Sequence, residues 1–129
     1  MKVEVVCLDK PAAKFQAQVR RDARQLETLL KAKGDVEVFI VGARRMKALN
    51  SRFRKKESST NVLSFPKPKD FPGDTLGEVY LDPLYIEKKK EDLSLMLVHG
   101  ILHILGYDHK KQRDRLVMEK KERALLRSL

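Results

Sequence analysis

The sequence predicts a single α/β (α+β) domain, a small mixed β-sheet with helices packed on it, in the order β-α-β-α-β-β-α-α. Three observations carry this. The 129 residues fit one domain, since domains most often run to about 100–150 residues. Short alternating or β-branched runs are interleaved with longer stretches whose apolar residues recur at three- and four-residue steps, the periods of strands and helices. No repeat, linker or low-complexity tract breaks the chain, so residues 1–129 read as one unit, for which a sheet covered by helices is the natural layered solution.

The first strand alternates Val3, Val5 and Cys7 on one side with Glu4, Val6 and Leu8 on the other, and Cys7 is expected in the core. Asp9 or Lys10 stands near the cap of the first helix, with Pro11 in its first turn. Phe15, Val19, Ala23, Leu26, Leu29 and Leu30 form that helix's buried stripe, and Gly34 ends it. Residues 36–41 are a β-branched second strand. Gly42 leads into a second helix that buries Met46, Leu49 and Phe53. Ser58, Ser59 and Thr60 make a loop, residues 62–65 a short strand, and residues 66–74, with three prolines and a glycine, a long surface loop. Residues 77–81 form another strand, and Asp82-Pro83 starts a turn or short helix into the charged run 87–92. Residues 93–105 are apolar nearly all round, which marks a buried helix, and Gly106 stops it. A last helix over about residues 110–126 buries Leu116, Met118 and the Leu125 region.

A hydrophobic share of 42% fills a modest core, while 36% charged residues put much of the chain in water. The longest apolar stretch, residues 93–105, is short of the roughly 20 residues a membrane-spanning helix needs. No basic region followed by a long apolar run opens the chain, so no secretory signal is expected. The single cysteine, Cys7, cannot close an internal disulfide, which points to a reducing, cytoplasmic setting. The net charge of +10 is uneven. Residues 44–56 carry Arg44, Arg45, Lys47, Arg52, Arg54, Lys55 and Lys56 and no acid. Residues 110–127 are also basic, and residues 70–92 are net acidic. Such a surface suits a polyanion, nucleic acid above all; a solubilising surface is the plain alternative. A membrane surface fits less well, because neither basic segment ends in an exposed aromatic and leucine face.

All three histidines fall in one segment, His99-Gly100-Ile101-Leu102-His103-Ile104-Leu105-Gly106-Tyr107-Asp108-His109. Residues four apart share a helix face, so His99 and His103 point the same way. Gly106 lets the chain turn back and bring His109 round. Three nitrogen ligands with an open fourth position are the pattern of catalytic zinc. A lone histidine in an apolar helix is more often a hydrogen-bonded core residue, but two buried imidazoles need partners, and one metal serves both. The spacing equals that of the extended zinc-protease motif at every position but one: its glutamate base is Gly100 here. Peptide hydrolysis by that route is disfavoured, and Met118, set in a helical pattern, reads as core rather than as that clan's methionine turn.

The segment 97–109 resembles the YbeY family of bacterial metal-dependent endoribonucleases. Two further blocks agree with it: Leu49-Asn50-Ser51-Arg52-Phe53-Arg54 with Thr60-Asn61-Val62-Leu63-Ser64-Phe65-Pro66, and Leu76-Gly77-Glu78-Val79-Tyr80-Leu81. The blocks span about residues 49–109, with looser agreement on both sides. The resemblance implies a single α/β domain holding zinc, one ion per chain, through His99, His103 and His109. It implies activity on RNA, in 3′-end maturation of small-subunit ribosomal RNA and ribosome quality control, and makes Arg54 the functional arginine near the metal.

The catalytic candidates are therefore Arg54 and His99, and the RNA-binding candidates Arg44, Arg45, Lys47, Arg52, Lys55 and Lys56. This sequence has Glu78 where the family usually has aspartate and Ser59 where it usually has proline, and it ends at Leu129 without the longer tail of many members. Glu78 is thus a candidate to help position the metal ligands. So is Asp108, which reads equally as a turn residue beside Gly106. The expectation is a metal-dependent, single-strand-preferring endoribonuclease. Its rivals are a metal-dependent protease or other hydrolase, and a non-catalytic zinc-binding ribosome assembly factor.

Overall fold

Four strands form one sheet in the order β1-β2-β4-β3: β1 (Lys2–Cys7), β2 (Asp35–Ile40), β3 (Val62–Pro66) and β4 (Thr75–Leu81). A computed structural model describes residues 1–54 and 60–129, with Arg54 described by its backbone alone. The loop expected at Ser58 and Ser59, and the candidates Lys55 and Lys56, lie outside the described residues. β1, β2 and β4 run parallel, and β3 is antiparallel to β4, so β1 and β3 are the sheet's edges. The mixed sheet is the expected one. Its parallel pairs demand crossovers: α1 (Gln16–Leu29) joins β1 to β2, and α2 (Ala43–Arg54) with β3 joins β2 to β4. α3 (Pro83–Lys88), α4 (Leu93–Ile104) and α5 (Gln112–Ser128) follow, α3 being the Asp82-Pro83 turn realised as a short helix.

The pleat sorts the strands' side chains. Val3, Val5, Val36, Val38, Ile40, Val79 and Leu81 point to one face, where they form the main core with Leu26, Leu97, Ile101, Leu102, Met118 and Leu125 from α1, α4 and α5. Cys7 is half-buried against this core. On the other face, Met46 of α2 packs with Leu63 and Val41, flanked by Phe39, Phe65 and Tyr80. No helix of the described residues is long and apolar enough to cross a membrane.

Local details depart from expectation. The first helix opens with a tight 3-10 segment, Lys10–Phe15, and Asp9 makes no side-chain cap there. Its carboxylate instead accepts from the Gly42 amide at 2.9 Å and from Arg45 at 3.1 Å, tying the end of β1 to the start of α2. Phe53 is 56% exposed and Leu116 58% exposed, against their expected burial. α5 docks through Met118, Glu122 and Leu125, a stripe of four- and three-residue steps from which Leu116, two positions earlier, points away. Phe53 sits at the far end of α2, in edge-on contact with Phe65 of the sheet, ring centres 5.2 Å apart. Leu29 and Val117 are also exposed. Single apolar side chains are thus exposed in the basic segments, Phe53 in one and Leu116 and Val117 in the other.

α4 is the helix that matters for the site. Asp92 caps it, accepting from the amides of Ser94 at 2.9 Å and Leu95 at 3.3 Å, a contact that satisfies free amides of the first turn. Gly100 lets the helix lie close on β3 and β4: a Cβ there would meet Val79 Cγ1 at 2.7 Å and Val62 Cγ2 at 3.1 Å. At its end Gly106 adopts φ +102°. The Gly106 amide bonds the His103 carbonyl and the Tyr107 amide the Leu102 carbonyl, at 3.1 and 3.0 Å. This paired closure is the left-handed turn that glycine terminates.

Candidate metal centre and cleft

His99 and His103 project from one face of α4, one turn apart, and the Gly106 turn returns His109 to meet them. One ring nitrogen of each lies within 4.8 Å of the others. His99 Nε2 and His103 Nε2 are 3.1 Å apart. The rings of His99 and His109 are near-parallel at 5.6 Å, and those of His103 and His109 edge-on at 4.9 Å.

The opposite nitrogens decide the protonation pattern. His99 Nδ1 lies 2.7 Å from Glu122 Oε2 on α5, and His103 Nδ1 lies 3.0 Å from the Tyr107 carbonyl oxygen. A carboxylate and a carbonyl only accept, so each imidazole donates from Nδ1, and its neutral form turns a lone pair outward at Nε2. Two lone pairs 3.1 Å apart repel unless a cation lies between them. Zinc–nitrogen bonds of about 2.0–2.1 Å in a tetrahedral ion separate two nitrogens by roughly 3.3 Å. The observed spacing is close to that, and the residues fit one metal ion. Burial holds the His103 imidazole below its usual pKa, and repulsion from His99 and His109 pushes the same way; both keep it in the neutral form that ligates.

The same turn thus ends the helix and orients His103, because the Tyr107 carbonyl that follows Gly106 is the acceptor for its Nδ1. Glu122 does the corresponding work for His99. It is only 7% exposed, and sequence reasoning missed it. Its signal was available: Met118, Glu122 and Leu125 share α5's buried stripe, and a carboxylate there needs a partner.

The nominated positioning residues are placed otherwise. Gly77 and Val79 face α4, with a Cβ at Gly77 meeting Ile104 Cδ1 at 2.7 Å, so Glu78 between them points to the opposite face. There it accepts from the Tyr80 hydroxyl at 3.1 Å. Burial, with the nearby Glu78 charge, pushes that hydroxyl up to about 12. Glu78 is not brought to the histidines. The Asp108 carboxylate accepts from the Lys110 amide at 3.2 Å, the turn role of its two readings. Of the basic candidates, Arg45 is held by Asp9, Arg52 lies over the Phe53 ring at 5.4 Å, and Arg44 and Lys47 are exposed. The Arg54 side chain is outside the description. Arg115, in the other basic segment, lines a recess beside His99, His109 and Glu122.

A cleft of about 500 Å³ opens over the histidines. One wall is His99, His103 and the 106–109 turn, and the other is residues 60–62 with Ser64 and Pro66 of β3. The centre therefore faces an edge strand across an open groove. Gly100 is turned into the sheet, where a glutamate would collide with Val79 and Val62, so this backbone has no room for the protease base.

Comparison with known proteins agrees with this geometry. A family model described as Endoribonuclease YbeY matches residues 6–129. A protein of Anaeromyxobacter sp. (strain Fw109-5) named Endoribonuclease YbeY is 38% identical over 117 residues, 84% of this chain and 61% of that protein. Others so named from Methylococcus capsulatus and Neorickettsia sennetsu are 37% and 38% identical, over 78% and 82% of this chain and 74% and 81% of their own. The solution structure of TM1509 from Thermotoga maritima has the same fold, with a TM-score of 0.63 and 24% identity over 98% of this chain and 87% of that one. With its histidine cluster, its mixed sheet and a family match running from β1 to the C-terminal helix, this chain belongs to the YbeY endoribonuclease family.

Proposed function

We propose that the chain is a zinc-dependent endoribonuclease that cleaves single-stranded RNA, acting in the cytoplasm in 3′-end maturation and quality control of the small ribosomal subunit. The observation that carries the chemistry is the convergence of His99 and His103 Nε2 at 3.1 Å, with His109 beside them. His99, His103 and His109 would hold the zinc, which supplies positive charge for the phosphodiester and makes water acidic enough to attack near neutral pH. No fourth histidine, cysteine or carboxylate joins the cluster among the described residues. This favours a catalytic centre over the closed structural zinc of an assembly factor.

The chain's own groups do the rest. Glu122 and the Tyr107 carbonyl accept the Nδ1 protons of His99 and His103 and so aim each Nε2 at the centre. Arg54, the arginine implied by the family resemblance, would meet the phosphate with a planar two-pronged contact. The net charge of +10 draws the polyanion, with Arg44, Lys47, Arg52, Lys55 and Lys56 as the proposed surface; Arg45, already paired with Asp9, contributes less.

The test is metal-dependent cleavage of a short single-stranded RNA, beside the His103→Ala variant, with metal content measured on protein purified without a histidine tag. The expected result is about one zinc per chain and cleavage that both disappear in the variant. Cleavage by the metal-free variant at the wild-type rate would sink the reading.

A further inference from the structure

The hydrogen-bond phase of β3 shows which backbone groups face the cleft. The Asp82 amide donates to the Asn61 carbonyl at 3.0 Å and the Lys67 amide to the Leu76 carbonyl at 2.9 Å. With Leu63 opposite Tyr80 and Phe65 opposite Glu78, residues 61, 63, 65 and 67 bond to β4. Val62, Ser64 and Pro66 turn their backbone groups outward, and these same residues line the cleft beside the histidines. The outward donors have been removed at both ends. The Val62 amide is taken by the Asn61 side chain at 2.7 Å, and Pro66 has no N–H. Ser64 keeps the remaining outward N–H of the strand, next to its own outward carbonyl. Its hydroxyl donates to the Gly100 carbonyl at 3.1 Å, which pins this point of the edge beside His99.

A peptide strand adding to an edge needs a donor at every second residue, and two of three are missing here; the same devices protect edges from stray pairing. One N–H beside one C=O is instead a single amide-like pair. Its complement is the Watson–Crick edge of an unpaired nucleobase, where a ring or exocyclic N–H lies next to an acceptor. A polyanionic partner also matches the chain's +10 charge. We propose that the Ser64 amide and carbonyl on the open edge of β3 hold the Watson–Crick edge of one unpaired substrate nucleotide beside the three histidines. This rests on the nuclease reading above and gives it a physical basis for choosing single strands, since in a duplex that edge is already paired.

The experiment uses the zinc-loaded full chain and a short labelled oligouridylate, with N3-methyluridine placed at each position in turn. The methyl group removes the ring donor and blocks the edge. The expected result is one position at which methylation weakens binding about tenfold, the cost of leaving a polar pair unmade. In Ser64→Pro, whose lost N–H is not in the ladder and so is tolerated at an edge, the unmodified strand binds about tenfold more weakly than in Ser64→Ala, which likewise lacks the hydroxyl contact to Gly100. Methylation at that position then costs nothing more, with zinc content unchanged. A flat scan on a strand that is bound and cleaved overturns the inference and leaves the nuclease reading standing. No binding or cleavage of the unmodified strand overturns both. Displacement of the strand by an unstructured peptide of similar affinity assigns the edge to peptides and also overturns it. If Ser64→Pro does not fold, the scan on the wild-type chain decides by itself.

Discussion

His99 donates from Nδ1 to the Glu122 carboxylate at 2.7 Å, joining the middle of α4 to α5 at the histidine cluster. A buried acceptor of this kind sets both the tautomer and the ring angle of a ligating histidine, and its loss typically costs 10–100-fold in metal affinity. Glu122→Ala should therefore lower zinc affinity by roughly 10–100-fold, measured by chelator competition. Glu122→Gln, which keeps an acceptor, should recover part of it. Equal affinities for all three proteins would show that Glu122 only fills space.

Arg54→Ala should slow single-turnover cleavage of single-stranded RNA by about 10²–10³-fold, the few kcal/mol an arginine contributes to transition-state charge. Arg54→Lys should regain only part, because an ammonium lacks the two-pronged contact. RNA affinity should change far less than the rate, since other basic residues share the binding. Zinc content and melting, taken on the same samples, should stay at wild-type values; a loss of all three together would make Arg54 a structural residue.

Gly100→Ala sets two effects against each other. Alanine favours a helix interior over glycine by about 1 kcal/mol. The new Cβ would lie 2.7 Å from Val79 Cγ1 and 3.1 Å from Val62 Cγ2, both on stiff β-branched side chains, and overpacking of this sort costs about 1–3 kcal/mol. The net expectation is a loss of about 1 kcal/mol, seen in denaturant melts. It should be accompanied by weaker metal binding as α4 moves off the sheet. A more stable variant would show that the sheet yields instead.

The Asp9 carboxylate is held below its usual range, first by the hydrogen bond from Arg45 and then by the Gly42 amide. A pKa lowered by folding adds stability that is complete above the unfolded value of 3.8 and is lost as pH falls through the lower folded value. Asp9→Asn should melt lower than wild type by about 2–3 °C at pH 6, a modest shift because the pair is partly exposed. That gap should close as pH falls below 3.8. A gap independent of pH would mean that charge plays no part in the contact.

Much of the molecule follows from the chain's local pattern. Alternation, β-branched runs and three- to four-residue steps mark the strands and most helices, the nearly all-apolar run 93–105 marks α4, and the four-residue step from His99 to His103 with the break at Gly106 marks the histidine cluster, because these are relations among near neighbours. The misplacements are relations between distant segments. Phe53 and Leu116 have the right period for burial, yet which arc of an amphipathic helix meets the core depends on where the helix lies. Glu78 is one residue from Val79 and Gly77, and the pleat alone sends it to the face away from α4. Glu122 reaches His99 because α5 folds back along α4, 23 residues later in the chain. The cleft's second wall depends on β3 pairing outside β4, which makes it an edge; strand order is a property of the closed sheet, carried by no single strand's sequence. Periodicity reports how a segment repeats along its own axis, whereas the partner of each face is decided only when the faces of all the segments are buried together.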